Sequence, residues 1–239
     1  MRNLTALRLV LIGLVSLASL SLVLMPSAAA EPVHQSPPSA APTTNLQSRI
    51  VFRNAMGKYW EDHITWTRLY IISALSDSPD LPDTTQRLLQ NQVDIGNAIR
   101  PFYGDAAADQ LTALLRTHIL IAADVLASAR ANDSASLSAN MLRWQANADD
   151  IGDFLATANP SQWPAAEMRA MMRQHLDLTT DEVVARLHQD WPADIAAYDR
   201  VHLHILMLAD QLTNGIEAQF PSAFDAPTDG VSLHSEVHP

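Results

Sequence analysis

Apolar residues recur at steps of three and four along nearly the whole chain, with only seven glycines among 239 residues. That spacing is the pattern of helices with one buried face, and no stretch alternates as a half-buried strand would. Start and stop residues divide it into about six helices. The first covers about 48–77 and ends at Ser78-Pro79-Asp80; the second covers about 83–100 and stops at Pro101. A third, about 105–130, has Asp105 as N-cap, and a fourth, about 134–157, is capped by Ser134 and closed by Asn159-Pro160. The fifth (about 163–188) and sixth (about 191–219) carry Pro164 and Pro192 in their first turns, with Pro221 beyond the last. The expected fold is all-α, an antiparallel bundle.

Part of the pattern repeats. Asn91-x-x-Asp94-Ile95-Gly96 recurs as Asn147-x-x-Asp150-Ile151-Gly152. Leu114-Leu115-Arg116-Thr117-His118 followed by Asp124 recurs as Met171-Met172-Arg173-Gln174-His175 followed by Asp181. Helices two and three, and four and five, therefore read as copies of one hairpin that pack on each other to cover their apolar stripes. A looser match sets Trp60-Glu61-Asp62-His63-Ile64 of the first helix against Trp191-Pro192-Ala193-Asp194-Ile195 of the sixth. With it, two three-helix units would surround a pseudo-twofold axis.

Polar residues stand on these stripes. His63 falls with Phe52, Met56 and Tyr59, His118 with Leu111 and Leu115, His175 with Met168 and Met171, and His202 with Tyr198 and Ile205. Asn91 and Asn147 share their faces with Ile95 and Ile151, while Asp94 and Asp150 sit at the edges. A buried polar group left without a partner costs roughly 1–3 kcal/mol, so pairs such as Asp94 with His118 and Asp150 with His175 are expected across each hairpin. These are either hydrogen-bonded pairs that fix register or a site where the halves meet. Imidazole and carboxylate together suit a divalent transition metal, with His63, Asp94, His118, Asp150, His175 and His202 as candidate ligands. The Glu-x-x-His pairs of di-iron bundles are missing; Asp199-x-x-His202 is the nearest approach.

Enzyme motifs are sparse. The chain has no Gly-rich phosphate loop, no Gly-x-Ser-x-Gly and no cysteine. Glu61 beside His63, flanked by Trp60 and Trp66, is the one acid–base cluster that a hydrolase or lyase could use. The favoured expectation is a non-enzymatic binding or interaction domain. Its candidate ligand contacts are Trp60, Glu61, His63, Arg68, Asn91, Asp94, Asn147 and Asp150. Its partner would be a small ligand, a metal ion or another protein.

The ends of the chain give its address. Arg2 and Arg8 precede an apolar run, Leu9 to Met25, and Ala28-Ala29-Ala30 supplies small residues for cleavage, so 1–30 read as a signal peptide. A periplasmic or secreted protein follows, or a membrane-anchored one if the segment is kept. Residues 31–45, rich in Pro, Ser, Ala and Thr, read as a flexible tether, 46–220 as the bundle, and 221–239 as a disordered tail. Without Arg2 and Arg8, 13 basic side chains face 26 acidic ones, a balance that repels nucleic acid and anionic headgroups.

The segments Trp60-Glu61-Asp62-His63-Ile64-Thr65-Trp66-Thr67-Arg68, Asp94-Ile95-Gly96-Asn97 and Pro101-Phe102-Tyr103-Gly104 give the chain a resemblance to a family of small bacterial helical proteins, secreted or membrane-anchored. The likeness spans roughly residues 50–222. It implies an all-α fold and no established activity. Some members carry glycosyltransferase or acetylglutamate kinase labels, for which this chain lacks any nucleotide-binding βαβ pattern.

Overall fold

The computed structural model describes residues 41–225; the expected signal peptide, the tether up to residue 40 and the tail beyond Asp225 lie outside the described residues. Those described form five helices, α1 (Ala41–Leu75), α2 (Leu81–Arg130), α3 (Ser134–Ala158), α4 (Ala165–Leu187) and α5 (Trp191–Gln219), then a 3₁₀ turn, Pro221–Phe224. Residues 41–45 are thus helical and not part of the tether, since Pro42 falls in a first turn, where its missing N–H costs nothing. The tail likewise begins later than expected, because Phe224 is buried against Phe52 and Phe102.

α2 holds two of the expected helices. It runs on through Pro101 and bends at Gly104, whose φ of 79° and ψ of 176° suit glycine. The two arms fold back on each other so closely that a Cβ at Gly96 would strike Thr112. Six rods result, closed into a ring: α1 packs on α2, α2 on α3, α3 on α4, α4 on α5, and α5 returns to α1.

Three tight hairpins build that ring. α1, the second arm of α2 and α4 each end on a left-handed residue, Asp77, Asn132 and Gln189, with φ of 52°, 54° and 57°. After each, the next N–H reaches five residues back: Ser78 to Ser73 O, Asp133 to Ser128 O, and Asp190 to Ala185 O, at 3.0–3.1 Å. This is the Schellman closure of a helix end. Asp133 and Asp190 then cap α3 and α5 through Ser136 N and Ala193 N, so the cap of α3 is Asp133 and not Ser134.

The twofold arrangement expected from the repeat is therefore replaced by a threefold one. Its hairpins are α1 with the first arm of α2, the second arm of α2 with α3, and α4 with α5. Equivalent positions are buried in all three: Ile64, Ile119 and Leu176 on the first helices, and Ile95, Ile151 and Leu208 on the second. Burying each such side chain contributes about 1.5–3 kcal/mol. Trp191-x-x-Asp194 is accordingly no counterpart of Trp60-x-x-His63, since α5 occupies the place of the first arm of α2 and of α3.

Candidate functional site

At mid-height every rod of the ring contributes a buried polar side chain, His63, Asn91, His118, Asn147, His175 and His204 in chain order, and the first arm of α2 adds Gln92, whose Nε2 lies 3.3 Å from His63 Nδ1 and donates to Asn91 Oδ1 at 3.1 Å. In every hairpin the second helix donates to the carbonyl four residues before the first helix's histidine. Asn91 Nδ2 donates to Tyr59 O at 2.9 Å, Asn147 Nδ2 to Leu114 O at 3.2 Å, and His204 Nε2 to Met171 O at 3.0 Å. These bonds satisfy the amides, so Asn147 Oδ1 is left to accept, and His118 Nδ1, 2.8 Å away, must be the donor. The His63 ring lies 5.6 Å from that of His175, which stacks on His118 at 6.0 Å and on His204 at 6.3 Å.

Burial holds these imidazoles neutral. It pushes His63 down to about 3 and His118 to about 4, and carries His175 and His204 below the ordinary value. Two ring nitrogens, His118 Nε2 and His175 Nδ1, meet no hydrogen-bond partner.

Several expected members of the site stand elsewhere. His202 faces outward from α5, with 31% of its side chain exposed; it stacks on Tyr198 and lies 3.3 Å from Glu61. Its place in the layer belongs to His204. Asp94 pairs with Arg87 and accepts from Gln90 on the surface, and Asp150 is exposed beside a shallow groove under Phe154. Neither aspartate touches a histidine, because neutral imidazoles in a dry core are matched by neutral amides at lower desolvation cost. Among the described residues no group of three or more His, Asp or Glu side chains is arranged to hold a metal ion. Glu61 and His63 diverge, Glu61 into solvent and His63 into the layer, so the acid–base pairing expected of them is not formed. Trp60 is buried against His63, its rings 5.9 Å away.

Arg68 belongs to a second polar cluster that sequence reasoning missed. Its guanidinium reaches Glu182 Oε1 at 2.6 Å and Asp194 Oδ1 at 3.0 Å, and Arg186 reaches Asp194 Oδ2 at 2.7 Å. Glu182 and Asp194 are fully enclosed, and burial raises Glu182 to about 7 despite Arg68. No spacing signal marks these two acids. Only their place three and seven residues along the apolar stripes distinguishes them from solvated ones.

Between the polar layer and the hairpin turns lies a cavity of about 290 Å³. One turn beyond the histidines the three first helices place Thr67, Ala122 and Thr179 on its wall, and one turn further Ile71, Leu126 and Val183. Trp144 closes one side, its ring 5.3 Å from that of His118. Tyr70 and Leu126 also border a surface groove. No Lys, Arg, Asp or Glu stands on the wall. Concave, mostly apolar and lined by several helices, it has the character of a small-molecule site.

Set against known protein families, curated proteins and solved structures, the chain matches none of them.

Proposed function

We propose that this protein is an exported binding domain, built from a hairpin copied three times, that holds a small apolar molecule inside its helical ring. The cavity between the polar layer and the turns carries this reading. Apolar walls favour burial of apolar surface by about 25 cal/mol per Å² removed from water. Export rests on the leader-like first thirty residues, and the copied hairpin on the three matching turns and amide-to-carbonyl bonds.

The test is fluorescence titration with N-phenyl-1-naphthylamine, a neutral apolar dye. We expect saturable binding of one dye per chain, lost in Ala122→Phe, whose ring fills the cavity, and weakened in Ala129→Leu. Absence of saturable binding, or binding that both folded variants retain, would overturn the reading.

A further inference from the structure

We infer that the guest enters and leaves the cavity between α3 and α4, past a lip formed by Leu137, Met141 and Val184. This rests on the cavity being the binding site and adds the route by which it fills.

α3 and α4 are laced together along one half of their shared length. Arg169 forks onto both carboxylate oxygens of Asp153 at 2.6 Å, and one turn on Arg173 forks onto Asp149 at 2.5–2.7 Å. Such two-bonded forks add geometric specificity to the energy of the pair, and so fix how the two helices sit. The same register carried two turns further sets Leu142 against Thr180, and one turn beyond that Ser138 against Val184. Among the described residues no hydrogen bond or ion pair joins 134–146 to 176–187 across this seam. Thr180 Oγ1 and Ser138 Oγ each donate within their own helix, to Leu176 O and Ser134 O. The seams on either side are tied at that level. Asn140 Nδ2 donates to Ser128 Oγ at 2.9 Å between α3 and the second arm of α2, and Arg186 pairs with Asp194 at 2.7 Å between α4 and α5.

The cavity wall also reaches the surface along this seam. Val184 lines the cavity and is 44% exposed, whereas Trp144 and Thr179, deeper along the same two helices, are buried. Leu142, next to the wall residue Met141, is 69% exposed. Apolar packing alone therefore closes the seam on this half. An apolar guest passing Leu137, Met141 and Val184 replaces the apolar surface that the helices lose as they part. Met141 is unbranched and polarisable, so it can repack around what passes. A route through either neighbouring seam would break polar bonds with no such return.

The chain has no cysteine, so introduced thiols can be linked selectively. Ser138→Cys with Val184→Cys, joined by a short bismaleimide, ties the lip; Asp153→Cys with Arg169→Cys ties the far half of the same seam. Stopped-flow fluorescence with N-phenyl-1-naphthylamine reads uptake and release before and after linking. We expect the lip link to slow both rates by about tenfold or more and to leave affinity within about twofold, because a barrier on the route leaves the end states alone. The far link should change neither rate. Rates indifferent to the lip link, or slowed alike by both links, would overturn the inference. Ser138→Asp with Val184→Arg carries the ladder of ion pairs to the lip without a linker. It should slow release about threefold, the size of an exposed ion pair, and faster release would count against the route. An unaltered chain that takes up no dye would instead remove the binding reading itself.

Discussion

One turn before the histidines the three first helices carry Trp60, Leu115 and Met172; one turn after them they carry Thr67, Ala122 and Thr179. The polar layer thus divides the ring into two halves built on equivalent positions but filled with side chains of different size. On the side of the chain ends, Phe52, Phe102, Phe220 and Phe224 pack together with ring centres 5.0–5.7 Å apart, and Trp163 packs onto Gly215. The space left there is about 10 Å³, less than one water needs. On the side of the turns the small residues leave about 290 Å³. The same hairpin geometry supports a close-packed core and an open chamber, and side-chain volume alone decides which. A bundle that kept its layer of amides and imidazoles needed only three small residues to gain a chamber.

Acid should act on both halves at once, through the layer between them. His63, His118 and His175 are neutral in the fold, whereas in the unfolded chain they protonate below about 6.5. The unfolded state therefore binds more protons between about 6.5 and 4, and stability falls as pH falls through that range, by about 1.4 kcal/mol per pH unit for each histidine. Glu182 works in the opposite sense: protonated in the fold up to about 7 but ionised in the unfolded chain above 4.5, it contributes stability that is lost as pH rises through that interval. His204, also held below its ordinary value by burial, acts in the same sense, so one carboxyl opposes four imidazoles and urea midpoints should drop steeply from pH 7 to pH 5. A flat profile across that range would mean the layer is hydrated or partnered in a way the fold does not show.

Truncations should separate the halves next. Trp163→Ala removes a ring from the packed side together with its bond to Gln211 O, and is expected to cost about 3–5 kcal/mol by chemical denaturation. Leu126→Ala enlarges a chamber that already exists, and should fall near the lower end of the usual 2–5 kcal/mol. If the two cost the same, the halves are not packed differently in solution.

The helices, their number and the first three histidines were legible in the sequence, because a 3.6-residue period over long segments admits little else. The sixth helix was misread for a definite reason. α5 exposes Leu203 and Met207 where the first arm of α2 has Gln90 and Asp94, so apolar residues mark both of its faces and cannot say whether His202 or His204 turns inward. The aspartates of the repeat drew attention by charge, yet the asparagines three residues before them make the buried bonds. The twofold reading left out α4 with α5 as a hairpin of the same kind, because it makes the equivalent buried bond through His204-x-x-Met207-Leu208-Ala209 where the other two carry Asn-x-x-Asp-Ile-Gly. The chamber was invisible, since nothing in a single helix shows that Thr67, Ala122 and Thr179 share one level.

The most direct measurement is a crystal structure of the protein grown with ethylbenzene. A ring bounded by Ala122, Leu126 and Thr179, above an undisturbed layer of His63, His118 and His175, is the expected result. An empty chamber with the ring seated instead on the outer face of α5, against Leu203 and Met207, would contradict it.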